Sequence, residues 1–77
     1  MQNKIEEQIK SVMSAVFEIP SERIKDDSSP DTIESWDSLK HMNLIVSLEE
    51  EFSIEFTDTE IIEMINYLLI VEVVKNK

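Results

Sequence analysis

Seventy-seven residues make one small domain, and a core that limited is held only if a few helices pack efficiently. The absence of cysteine excludes disulfide staples and thiolate metal ligands. With 17 acidic against 7 basic residues and a formal charge of -10, the chain repels nucleic-acid phosphates and anionic lipid, and favours basic protein partners.

Disorder is the other common reading of such acidity, but 42% hydrophobic residues at helical spacing argue against it. The first residues carry no apolar signal region, and the longest apolar run, Tyr67 to Val71, is too short to span a bilayer. These features lead us to expect a soluble, cytoplasmic, bacterial-type protein: a free-standing monomer with no nucleic-acid or membrane partner.

With no glycine and two prolines, strand-and-hairpin architectures are disfavoured. Ile5, Ile9, Val12 and Val16 recur on one helical face, widened by Met13 and Phe17, and predict a helix over about 2–17. Glu6 and Glu7 suit its first turn, and Pro20 follows its end. A long connection over 18–37 holds both prolines; Ile19, Ile24, Ile33 and Trp36 are its expected anchors, and 21–24 suits a short helical turn.

The second helix is expected over about 38–52, with Asp37 as N-cap and Leu39, Met42, Ile45, Leu48 and Phe52 as its inner face. Thr57 or Asp58 caps a short helix over about 58–64, and Asn66 caps a last helix over about 67–75. The cluster Ile70, Val71, Val73 and Val74 would also suit a strand, but a lone strand has no partner here. The whole is an all-α, four-helix bundle of three longer helices and one short one.

Asp37-Ser38-Leu39 opens the second helix, and Leu48-Glu49-Glu50-Glu51-Phe52 closes it. Ser53-Ile54-Glu55-Phe56 and Thr57-Asp58-Thr59-Glu60-Ile61 follow. In this order the segments resemble the acyl carrier protein family, and the resemblance covers essentially the whole chain. It implies that Ser38 is esterified with 4'-phosphopantetheine from coenzyme A, whose thiol then carries an acyl group as a thioester. The protein is then no enzyme but the substrate of a phosphopantetheinyl transferase. An acyl-loading ligase or acyltransferase and downstream synthase enzymes are its other implied partners.

A helix start suits that chemistry, because the hydroxyl is exposed on a firm element and the dipole tolerates a phosphodiester anion. The resemblance implies that Asp37 helps position the modification, beside its capping role. Leu39 is expected to point inward and tie the helix start to the core. Met42, Ile45, Leu48, Ile61 and Met64 are the implied lining for a sheltered acyl chain. Lys40, His41, Val46, Glu49, Glu50 and Glu60 are candidate partner contacts.

Some residues depart from the family. Lys40 and Asn43 stand where carriers of fatty acid synthesis commonly have acids. That points to a specialised pathway (secondary-metabolite, polyketide or surface-glycan), with fatty acid synthesis as the other possibility. His41 replaces a smaller residue and, with no second His and no Cys, reads as an exposed surface histidine. Met13, Met42 and Met64 read as core fillers. The acidic run from Asp26 to Asp31 lacks the glycine and the alternation of a calcium loop, so no metal site is expected.

Other classes remain in play at this stage. A peptidyl carrier for an aminoacyl group would share the fold and the serine. An unmodified acidic interaction module would leave Ser38 an ordinary helix-start residue. A small acidic inhibitor would rest on charge alone.

Overall fold

The structure, a computed structural model, describes residues 4–77. Residues 2 and 3 of the first expected helix lie outside the described residues. Four α-helices follow one another: α1 (Lys4–Phe17), α2 (Ser38–Phe52), α3 (Asp58–Glu63) and α4 (Tyr67–Lys75). There is no strand among the described residues. The β-branched run at the end of the chain is helical, as its packing against α1 requires more of its apolar stripe than of its propensity.

α1 buries Ile9, Met13 and Phe17 against α2 and α4. From α2 the core receives Leu44, Ile45 and Leu48, and from α4 it receives Tyr67, Ile70, Val71 and Val74. The helices end without glycine. Glu18 and Ser53, just past α1 and α2, take up left-handed backbone at φ 57° and 55°. That conformation closes a helix at a steric cost any side chain pays and glycine does not.

The connection between α1 and α2 is an anchored segment. A 3-10 turn, Ser21–Arg23, is followed by Ile24, Ile33 and Trp36, all buried in the core, with Ile19 packed at its edge. Hydrogen bonds tie it near its end and at its middle. The Ser35 hydroxyl donates to the Phe17 carbonyl at 3.0 Å, and the Tyr67 amide donates to the Ser28 carbonyl at 2.9 Å. The buried Ser28 hydroxyl accepts from the Lys25 amide at 2.7 Å. These ties fix where the chain enters α2.

α3 has only six residues and contributes no buried side chain of its own. A helix that short depends on its ends and its neighbours. At its start Thr57 and Glu60 form a reciprocal capping box, with bonds of 3.2 and 2.9 Å. The Lys77 ammonium also reaches Glu60. No helix among the described residues is long and apolar enough to cross a membrane.

Candidate functional site

Asp37 makes the start of α2. Its backbone is extended at φ -107°, ψ -175°, and its carboxylate accepts the Lys40 amide at 2.8 Å. Its carbonyl accepts the His41 amide, also at 2.8 Å. Ser38 is therefore the first helical residue, and it is exposed. The first-turn amides of Ser38 and Leu39 have no intrahelical acceptor, so the positive end of the helix lies beside the serine.

Ser38 also stands on the rim of a groove of about 510 Å³. The loop supplies one wall through Pro30 and Trp36, and α2 supplies the floor through Ser38, His41 and Met42. The far wall is Ile61 and Ile62 of α3, with Ile65 just beyond it. The groove is mostly apolar, and its size falls within the range of small-molecule pockets. A larger hollow of about 1010 Å³ lies between α1 and the loop, but Lys10, Lys25, Asp26 and Asp27 make it polar and Ser38 is not part of it.

Several sequence expectations need correcting. Leu39 does not tie the helix start to the core: it is 71% exposed. Leu39 and Leu48 are nine residues apart, which at about 100° per residue puts them on opposite faces of α2. Met42 is not a core filler either, being exposed on the groove floor. Of the implied chain lining, Met42 and Ile61 do face the groove, whereas Ile45, Leu48 and Met64 are spent in the core.

His41 is not a free surface histidine. It is half-buried, Nδ1 accepts the Trp36 indole N–H at 3.0 Å, and Nε2 lies 3.0 Å from the Ile61 carbonyl. The Trp36 and His41 rings stack at 6.2 Å, and Trp36 in turn packs on Phe17 at 5.0 Å.

The candidate partner contacts divide into two groups. Lys40 is in an ion pair with Glu18 at 3.7 Å. Glu49 accepts the Phe56 amide at 2.9 Å, and Glu60 is held by Thr57 and Lys77. Those bonds lower the Glu60 pKa below its ordinary 4.5, the Lys77 ammonium most of all and the Thr57 amide next. Val46 and Glu50 are exposed on α2. The sequence reading missed Pro30, Ile62 and Ile65 as groove walls. Ile62 and Ile65 are both exposed, and since Ile65 lies past the end of α3, no helical periodicity in the sequence pairs them.

Among the described residues no three His, Cys, Asp or Glu side chains gather where they could hold a metal. What the site offers is an exposed hydroxyl on a firm helix start beside an apolar groove. That arrangement can hold a covalent group and shelter part of it.

The family of the phosphopantetheine attachment site matches residues 7–72. The acyl carrier protein of Buchnera aphidicola from Acyrthosiphon pisum (strain Tuc7) is 44% identical over 56 residues, 73% of this chain and 70% of that one. Its counterpart from the Schizaphis graminum symbiont is 38% identical over 58 residues, 75% and 73% of the two chains. The solution structure of a holo acyl carrier protein from Geobacter metallireducens superposes with a TM-score of 0.86 at 32% identity, covering 97% of this chain and 86% of that one. The family match over most of the chain, the identities and the shared four-helix frame agree, and the chain belongs to the acyl carrier protein family, non-enzymatic carriers with a covalent 4'-phosphopantetheine.

Proposed function

We propose that Ser38 is the attachment point, and that the protein shuttles an acyl thioester on the arm it holds. The observation that carries this reading is the placement of the exposed Ser38 at the first position of α2, on the rim of the groove. The hydroxyl is open to a modifying enzyme, and the helix start stabilises the phosphodiester charge that results. Asp37 fixes that geometry through its cap on Lys40. Of the other serines near this point, Ser35 is half-buried and already bonded to Phe17.

The groove accounts for the other half of the task. Its Ile61, Ile62, Ile65 and Met42 walls offer apolar surface to the first carbons of a chain leaving the arm. The partners in this reading are a phosphopantetheinyl transferase, an acyl-loading ligase or acyltransferase, and synthase enzymes with basic docking faces, all cytoplasmic. The exposed Val46 and Glu50 on α2 suit such contacts. The pathway is a specialised one: Lys40, paired with Glu18, and the neutral Asn43 remove negative charge beside Ser38.

The test is intact-protein mass after incubation with coenzyme A and a broad-specificity phosphopantetheinyl transferase. The wild-type chain gains one phosphopantetheine, and Ser38→Ala gains none while keeping its melting temperature. A wild-type chain that gains nothing, beside a control carrier that does, overturns the reading.

A further inference from the structure

Trp36, His41 and Ile61 lie on three different walls of the groove, and one imidazole joins them. The indole N–H can only donate, so Nδ1 of His41 must be the unprotonated acceptor. In a neutral ring the proton is then on Nε2, which donates to the Ile61 carbonyl. The tautomer is fixed by the neighbours on both sides.

The bond to Ile61 fills a real vacancy. In α3 the Met64 amide takes the Glu60 carbonyl, but the Ile65 amide turns to the Glu63 carbonyl. The Ile61 carbonyl is left among the unpaired acceptors of the last turn, and His41 supplies its donor. At the other end of α3, Glu60 is held by Thr57 and Lys77. The far wall of the groove is thus a six-residue helix pinned at both ends, and the pin nearer the isoleucines is His41. On its other side the imidazole holds Trp36, which rests on Phe17 of α1.

We propose that His41 is a positioning residue: as the Nε2–H tautomer it braces the Trp36 wall and the α3 wall across α2, and so sets how much of an attached acyl chain the groove accepts. The proposal rests on the reading of Ser38 as the attachment point. His41 itself does no chemistry on the thioester. It decides whether Ile61, Ile62 and Ile65 stand at a fixed distance from Trp36 or swing with α3. A braced groove rewards a chain that reaches the isoleucines, and an unbraced one does not distinguish that chain from the bare arm.

The experiment has two arms. The first uses the unmodified wild-type protein and reads the imidazole nitrogens of His41 by 15N NMR, with hydrogen exchange at the Trp36 indole. The expected result is a protonated Nε2, an unprotonated Nδ1 and a slowed indole; a ring protonated on Nδ1 overturns the brace. The second arm loads acetyl, hexanoyl and octanoyl pantetheine onto Ser38 from the matching coenzyme A esters and measures melting temperature against the unacylated holo form of each variant.

In wild type the increment over the holo form grows with chain length. In His41→Leu it is lost, and in His41→Gln, whose amide can still donate toward Ile61, it returns. Reading each variant against its own holo form removes any general loss of stability. Equal increments in wild type and His41→Leu, including none in either, overturn the proposal. Failure of the wild-type chain to accept any arm sinks the carrier reading instead, and the tautomer measurement still decides the brace.

Discussion

α2 carries two apolar stripes that meet opposite fates. Leu44, Ile45 and Leu48 are sealed in the core, while Leu39, Met42 and Val46 lie 71%, 47% and 51% exposed on the other side. The residue types are interchangeable; the surroundings are not. The first stripe faces α1, which closes over it, and the second begins beside Ser38 and reaches the groove at Met42. The inner stripe holds the fold together. The outer one is left exposed, and on the proposed reading it offers apolar surface to a carried chain and to partner enzymes. On that reading α2 has a structural side and a working side, and a leucine is buried on one and exposed on the other.

The sharpest way to break that contrast is a matched pair of truncations. Leu48→Ala removes a fully buried side chain and is expected to destabilise by ~2–4 kcal/mol in chemical unfolding. Leu39→Ala, the same chemistry on the outer stripe, is expected to change stability by less than ~0.5 kcal/mol. Equal costs would mean that the two faces do not differ as described.

A smaller effect tests the quality of the inner side. Tyr67 is fully buried, and its hydroxyl finds no hydrogen-bond partner among the described residues. Burial, with the charges of Glu6 and Asp26, pushes its pKa up to about 12. Deleting an unpaired buried hydroxyl removes a desolvation cost, so Tyr67→Phe is expected to raise stability by ~1 kcal/mol. A fall in melting temperature would show that the hydroxyl is bonded in solution.

The smallest effect concerns the far wall of the groove. The lowered pKa of Glu60 means that its carboxylate favours the folded state. That contribution is present above the unfolded value of 4.5 and is lost as pH falls through the lower folded value. In a 13C NMR titration, Lys77→Met is expected to move the Glu60 midpoint up toward 4.5, though not fully, because the Thr57 amide remains. An unmoved midpoint would remove Lys77 from the account.

The all-helical class was legible from apolar periodicity and the missing glycines, because both are local signals. The loop anchors were legible too: isolated Ile24, Ile33 and Trp36 in a polar segment have few reasons to be apolar other than burial. The inner face of α2 was only half legible. Steps of three residues each slip by about 60° around a helix, so a stripe written as Leu39, Met42, Ile45, Leu48 winds from the outside to the inside. His41 was misread for a different reason. Its partners are Trp36, five residues back, and a carbonyl twenty residues on, and a bond to a distant backbone oxygen leaves no pattern in the sequence.

The most direct test of the central claim is to locate the arm. Fragment-ion mass spectrometry of the protein modified from coenzyme A reads which of the nine serines carries the phosphopantetheine. The account predicts a single site at Ser38. A label on Ser35, or on Ser11, Ser14 or Ser21 around the polar hollow beside α1, would contradict it.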